Sequence, residues 1–133
     1  MKRVLWIMTV LFLVGCAKEE GEGGNSSISG KVNLEQYNST FTILNYTTAA
    51  ADYDVFIVYG DDVGFSDNTE TDYKGEFTFP FLREGDYTIY VYSKVNSSEA
   101  INGQAPSEEA IIQTISISKK EDATLPDFTV LNN

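Results

Sequence analysis

Across residues 86–93 the chain alternates: Tyr87, Ile89 and Val91 fall on one side of an extended backbone, Thr88, Tyr90 and Tyr92 on the other. Apolar residues at every second position bury one face of a strand, and no helix holds them on one side. The same period sets Ile28, Gly30, Val32 and Leu34 against Ser29, Lys31 and Asn33. Residues 53–59 form a nearly continuous run of β-branched and aromatic side chains, the pattern of a central strand. Residues 111–118 and 127–131 supply two late strands; 41–43, 69–72 and 77–79 supply shorter candidates, with Pro80 ending the last or confining it to an edge. Only Ala49-Ala50-Ala51 and Glu108-Glu109-Ala110 favour a helix, and each is too short to sustain one.

Turn chemistry punctuates the strands. Gly60-Asp61-Asp62 closes the central run, Gly75 sits where a tight turn needs a positive φ, and Leu82-Arg83-Glu84-Gly85 forms a further turn. Residues 96–109 read as a polar loop containing Gly103 and Pro106. About seven strands with turns every 8–12 residues imply an all-β, two-sheet sandwich over residues 28–133.

The N-terminus is of another kind. Lys2 and Arg3 precede an apolar run from Val4 to Val14, interrupted by Thr9. A helix needs about 20 apolar residues to cross a bilayer, so this run is too short to span and fits a secretory signal. It ends in Leu13-Val14-Gly15-Cys16, which resembles the lipobox of bacterial lipoproteins. The resemblance implies cleavage after residue 15 and a Cys16 joined through its sulfur to diacylglycerol, with its amine acylated by a fatty acid such as palmitate. Two or three acyl chains anchor durably where one anchors marginally. The following Ala17-Lys18-Glu19-Glu20 resembles the tag that sends lipoproteins of one Gram-negative phylum to the outer face of the outer membrane. Lys18, Glu19 and Glu20 are therefore the candidate export residues, and the expected location is the outer membrane, facing the exterior. Residues 21–27 are rich in Gly and Ser, have no apolar side chain and read as a flexible linker, so residues 16–27 form anchor, tag and tether.

Within the domain the order of motifs is also distinctive. Ile28-Ser29-Gly30-Lys31-Val32 and Asp54-Val55-Phe56-Ile57-Val58-Tyr59 are followed by Asp72-Tyr73-Lys74-Gly75-Glu76-Phe77 and then by Leu82-Arg83-Glu84-Gly85-Asp86-Tyr87. This series resembles the carboxypeptidase regulatory-like, or prealbumin-like, β-sandwich family, which includes stalk domains of collagen-binding proteins. The resemblance implies an Ig-like sandwich with Phe77, Leu82 and Tyr87 filling the gap between sheets. It also implies a non-catalytic role in spacing, bracing or presenting other parts. Residues 35–52 are longer than the family pattern and leave room for an extra hairpin around 41–46.

Composition narrows the chemistry. The chain has no histidine, and its one cysteine is Cys16, so the usual neutral-pH base and any internal disulfide are missing. Catalysis is not expected. Loss of Lys2 and Arg3 would take the net charge from −11 to −13, which argues against nucleic acid as a partner. Asp61, Asp62, Asp67 and Asp72 offer oxygen ligands of the kind calcium takes, without EF-hand spacing; no other cofactor is implied. Phe56, Tyr90 and Tyr92 are candidates for an exposed aromatic contact surface. Two functions follow: a structural, adhesive or accessory surface module anchored by lipid, or a glycan- or small-ligand-binding lipoprotein that uses those rings. The partners expected are the membrane, through the anchor, and a protein or glycan at the cell surface.

Overall fold

The computed structural model describes residues 19–133; Cys16 and Lys18 lie outside the described residues. The regular structure of the described chain is almost entirely strand: β1 Glu22–Tyr37, β2 Leu44–Ala49, β3 Asp54–Tyr59, β4 Asp67–Glu70, β5 Glu76–Leu82, β6 Gly85–Lys94, β7 Glu108–Ile117, β8 Asp122–Thr124 and β9 Phe128–Asn132. A single helical turn, α1 (Ser98–Ile101), sits in the β6–β7 loop with the Ser97 side chain capping its N-terminus.

Two sheets face each other. One is antiparallel in the order β4-β3-β6-β7, and the other is organised around β1. The first half of β1 pairs antiparallel with β5, and its second half with β2. On its other side β1 pairs parallel with β8 and then with β9. The changeover from β5 to β2 occurs at Val32, whose amide donates to Gly75 O (2.8 Å) and whose carbonyl accepts from the Ala50 amide (2.9 Å). The all-β two-sheet sandwich expected from the alternation is therefore the fold, with nine strands among the described residues rather than about seven.

Inward residues of both sheets form one core, including Ile28, Val32, Val55, Ile57, Ile89, Val91, Phe128 and Val130. Phe77, Leu82 and Tyr87 are buried in it, as the turn motifs implied. Each fully buried aliphatic or aromatic side chain stabilises by roughly 1.5–3 kcal/mol, and that burial carries a domain without a disulfide. Pro80 lies inside β5, whose one partner strand among the described residues is β1, so it occupies a sheet edge where a missing amide costs no ladder bond. Gly75 and Gly85 have φ of 75° and 140°, the backbone that their turns required.

Three sequence readings are corrected. Residues 41–43 are not a strand: Phe41 has φ 53° and lies in a turn held by the Asn38 side chain, and the hairpin strand begins at Leu44. The polar edge strand expected at 69–72 is β4, at Asp67–Glu70. The flexible linker expected at 21–27 is also absent, because β1 starts at Glu22. Backbone pairing with β5 and β8 orders this Gly/Ser stretch despite its lack of apolar side chains.

Candidate functional site

The outer face of the β4-β3-β6-β7 sheet carries a strip of aromatic side chains. Alternation in β6 sends Tyr87, Ile89 and Val91 into the core and leaves Tyr90 and Tyr92 on the outside. Register then assembles the strip. Tyr90 lies opposite Phe56 of β3 on one side and Ile112 of β7 on the other. Phe56 and Tyr90 stack with centroids 5.1 Å apart and planes 17° from parallel. Tyr92 sets its edge against both, at 5.8 Å from Phe56 and 5.6 Å from Tyr90. Phe65, from the β3–β4 loop, adds a fourth ring 5.1 Å from Phe56. Such offset and edge-on pairs hold one another in place.

The strip faces solvent. Tyr92 is 45% exposed, Phe65 54% and Ile112 59%, while Phe56 and Tyr90 are half-buried beneath their neighbours. Burial, and then the adjacent Tyr92, push the Tyr90 hydroxyl above the usual tyrosine range. Beside the strip a cleft of about 340 Å³ is lined by Asp52, Tyr53, Asp54, Phe56, Tyr92 and Glu108. The Tyr53 hydroxyl crosses to donate to the Tyr92 carbonyl and ties the cleft floor to the strip. Burial, then Glu108 and Asp54, raise the Tyr53 pKa, which marks the negative character of this rim. The site thus combines flat apolar faces with carboxylate acceptors at one margin. Such a surface suits a ligand with one apolar face and a fringe of hydroxyl or amine donors.

Phe56, Tyr90 and Tyr92 are accordingly brought together on an open face. Phe65 and Ile112 escaped the sequence reading because one lies in an aperiodic loop and the other joins only through the β6–β7 register.

The four aspartates behave differently. Asp61 and Asp62 lie beyond the end of β3 and Asp67 starts β4, whereas Asp72 lies past the opposite end of β4. Three of the carboxylates serve local backbone or side-chain groups. Asp62 accepts from the Ser66 hydroxyl (2.7 Å), Asp67 from the Asn68 amide (2.8 Å), and Asp72 from the amides of Lys74 (2.8 Å) and Glu76 (3.0 Å). Among the described residues no group of three or more Asp, Glu, Cys or His side chains is placed to hold a metal ion, so the calcium grouping is not formed.

Glu19 and Glu20 are engaged by the fold. Arg83 donates from Nη1 to Glu19 O (3.2 Å), and its amide donates to Gly21 O (2.8 Å). The Glu20 side chain lies over Gly60 and Gly85, with Oε1 3.5 Å from the Asp86 amide. At Gly24 an added Cβ would come within 2.0 Å of Leu82 O, so β1 can approach β5 this closely only with glycine there.

No protein-family model and no curated relative matches the chain. One similar solved structure is a Pseudomonas aeruginosa protein described as a candidate carbohydrate-binding protein. It is 13% identical, with a TM-score of 0.48 over 82% of this chain and 90% of that one.

Proposed function

We propose that this chain is a non-catalytic lipoprotein of the outer membrane, anchored through Cys16 and facing the exterior, whose sandwich binds glycan on its aromatic strip. One observation carries the ligand half of this reading: Phe65, Phe56, Tyr90 and Tyr92 are contiguous and packed together, with Phe65 and Tyr92 open to solvent and Phe56 and Tyr90 half-exposed between them. A sugar ring has an apolar C–H face and a polar rim, so it stacks on such rings and turns its hydroxyls towards Asp54 and Glu108. A domain acting only as a spacer gains nothing from exposed apolar area of this kind, which otherwise favours unwanted association. The anchoring half rests on the charged start, the short apolar run, the lipobox-like cysteine and the acidic residues behind it.

The test is an oligosaccharide array of neutral, amine-bearing and uronate-bearing glycans, probed with residues 19–133. Binding by wild type, reduced at least tenfold by Tyr92→Ala and by Phe56→Ala at unchanged thermal midpoints, is the expected result. Absence of any binder, or binding indifferent to both substitutions, would refute the glycan reading.

A further inference from the structure

The chain joins the sandwich at one definite end, and the strand registers show which loops share it. Tyr59 at the end of β3 lies opposite Tyr87 near the start of β6, and Gly85 lies opposite Ile117 at the end of β7. Leu82 at the end of β5 pairs with Glu22, and β8 begins at Asp122 opposite Ser27. The loops 60–66, 83–84 and 118–121 therefore gather around residues 19–21.

This end is unlike the surface expected of a domain on a long tether. Val63 stands fully in solvent at the tip of its loop. Phe81 is 71% exposed, although strict alternation after Phe77 and Phe79 would have turned it inward. A bulge with φ 58° at Phe81 turns the ring out and lets Leu82 take the inward place. At the same end a cleft of about 170 Å³ is lined by Arg83, Lys119 and Lys120 and by Glu84, which pairs with Lys119 at 3.7 Å, so that cations outnumber the carboxylate there. Acidic residues, among them Asp61, Asp62 and Glu84, flank the end as well, so net charge does not drive it onto an anionic surface.

Tether length supplies the occupant. The backbone is fixed by hydrogen bonds from Glu19 onward, and only Ala17 and Lys18 separate Glu19 from Cys16. Three extended steps reach at most about 11 Å, and the headgroup layer on one side takes roughly 5–8 Å of that, which leaves little room for water beneath the domain. We propose that this end of the sandwich is a lipid-contacting surface, with Val63 and Phe81 inserted among headgroups and Arg83, Lys119 and Lys120 beside lipid phosphates, so that the domain stands directly on the bilayer. The inference rests on the lipid-anchor reading above. Tethering keeps the local concentration of membrane high, so weak individual contacts suffice.

Full-length chain carrying Val63→Cys, Phe81→Cys or, at the opposite end, Gln104→Cys is produced as the lipoprotein and labelled with a polarity-sensitive fluorophore. Lipidation of Cys16 leaves the new thiol as the only one to label. The proteins are placed in phosphatidylethanolamine–phosphatidylglycerol vesicles with and without nitroxide-headgroup lipid. Labels at 63 and 81 should be blue-shifted and quenched several-fold more than the label at 104. Equal quenching at all three positions in protein whose intact mass includes the lipid would overturn the contact surface and leave the anchor standing. A mass without lipid would overturn the anchor itself, and the proposal with it.

Discussion

The amide of Gly21 donates a 2.8 Å hydrogen bond to the hydroxyl of Tyr87, 66 residues away, and the same hydroxyl donates to the carbonyl of Arg83 at 2.8 Å. One buried side chain therefore closes the β5–β6 turn and pins the first ordered residues against it. Tyr87→Phe keeps the ring in the core but strands the Gly21 amide and the Arg83 carbonyl. A buried unpaired polar group costs about 1–3 kcal/mol. Urea denaturation should show a loss of that size, and hydrogen exchange at residues 20–24 should rise well before the core strands open. Unchanged exchange there would mean that Tyr87 does not hold the segment.

Gly85 is the second lock on the same turn. Its φ of 140° is open to glycine almost alone, and an added Cβ would lie 2.3 Å from Glu20 Cγ. Gly85→Val should destabilise by about 1–3 kcal/mol through backbone strain, plus displacement of Glu20. A thermal midpoint equal to wild type would contradict the turn geometry.

Tyr59 predicts a pH dependence. Burial first, and then the carboxylates of Asp67 and Glu22, push its hydroxyl up to about 12 from 10.0. The folded state then holds more protons than the unfolded chain between those two values. Its contribution to stability is complete below the unfolded pKa and is lost as pH rises towards the folded one. Tyr59→Phe cannot ionise, so its stability should fall less steeply than that of wild type between about pH 10 and pH 12. Parallel urea midpoints across that window would show that Tyr59 has no such role.

For the export motif, replacement of Lys18, Glu19 and Glu20 by alanine should leave acylation intact and hold the protein at an inward-facing leaflet. Protease treatment of intact cells, followed by an antibody against the domain, separates the outcomes: wild type cleaved, triple variant protected. Because Glu20 packs over Gly60 and Gly85, the thermal midpoint of each variant is measured alongside, so that misfolding is not read as missorting. Equal accessibility of the two proteins would remove these residues as the address.

Much of the fold was legible because alternation states directly which face of a strand is buried. That held for Ile28 to Val32 in β1, for Phe77 and Phe79, and most fully for β6, where it also placed Tyr90 and Tyr92 outside. It failed where order comes from the backbone. Gly21 to Ser27 has no apolar pattern, yet it is fixed by partners far along the chain, including Arg83, Tyr87 and Asp122. Phe41 and Ile43 alternate like a strand, but Asn38 accepts from the Thr42 and Ile43 amides and folds them into a turn. The aspartates resembled a ligand set in one dimension, but Asp72 lies at the opposite end of β4 from the others, and Asp62, Asp67 and Asp72 accept from neighbouring amides and a hydroxyl. Of the aromatic site, the members within a strand could be read, whereas Phe65 and Ile112 depend on loop conformation and register.

The parallel pairing of β1 with β9 also bears on when this protein can fold. Strand β1 is the first element among the described residues and lies at the centre of its sheet, yet Val32 to Gln36 find the partners on the side away from β2 only at Phe128 to Asn132. Contacts of such sequence separation form late and slowly. A chain that emerges from its N-terminus onward keeps one side of Val32 to Gln36 unpaired until Phe128 to Asn132 are available. Premature closure of this sheet is thereby discouraged by topology alone.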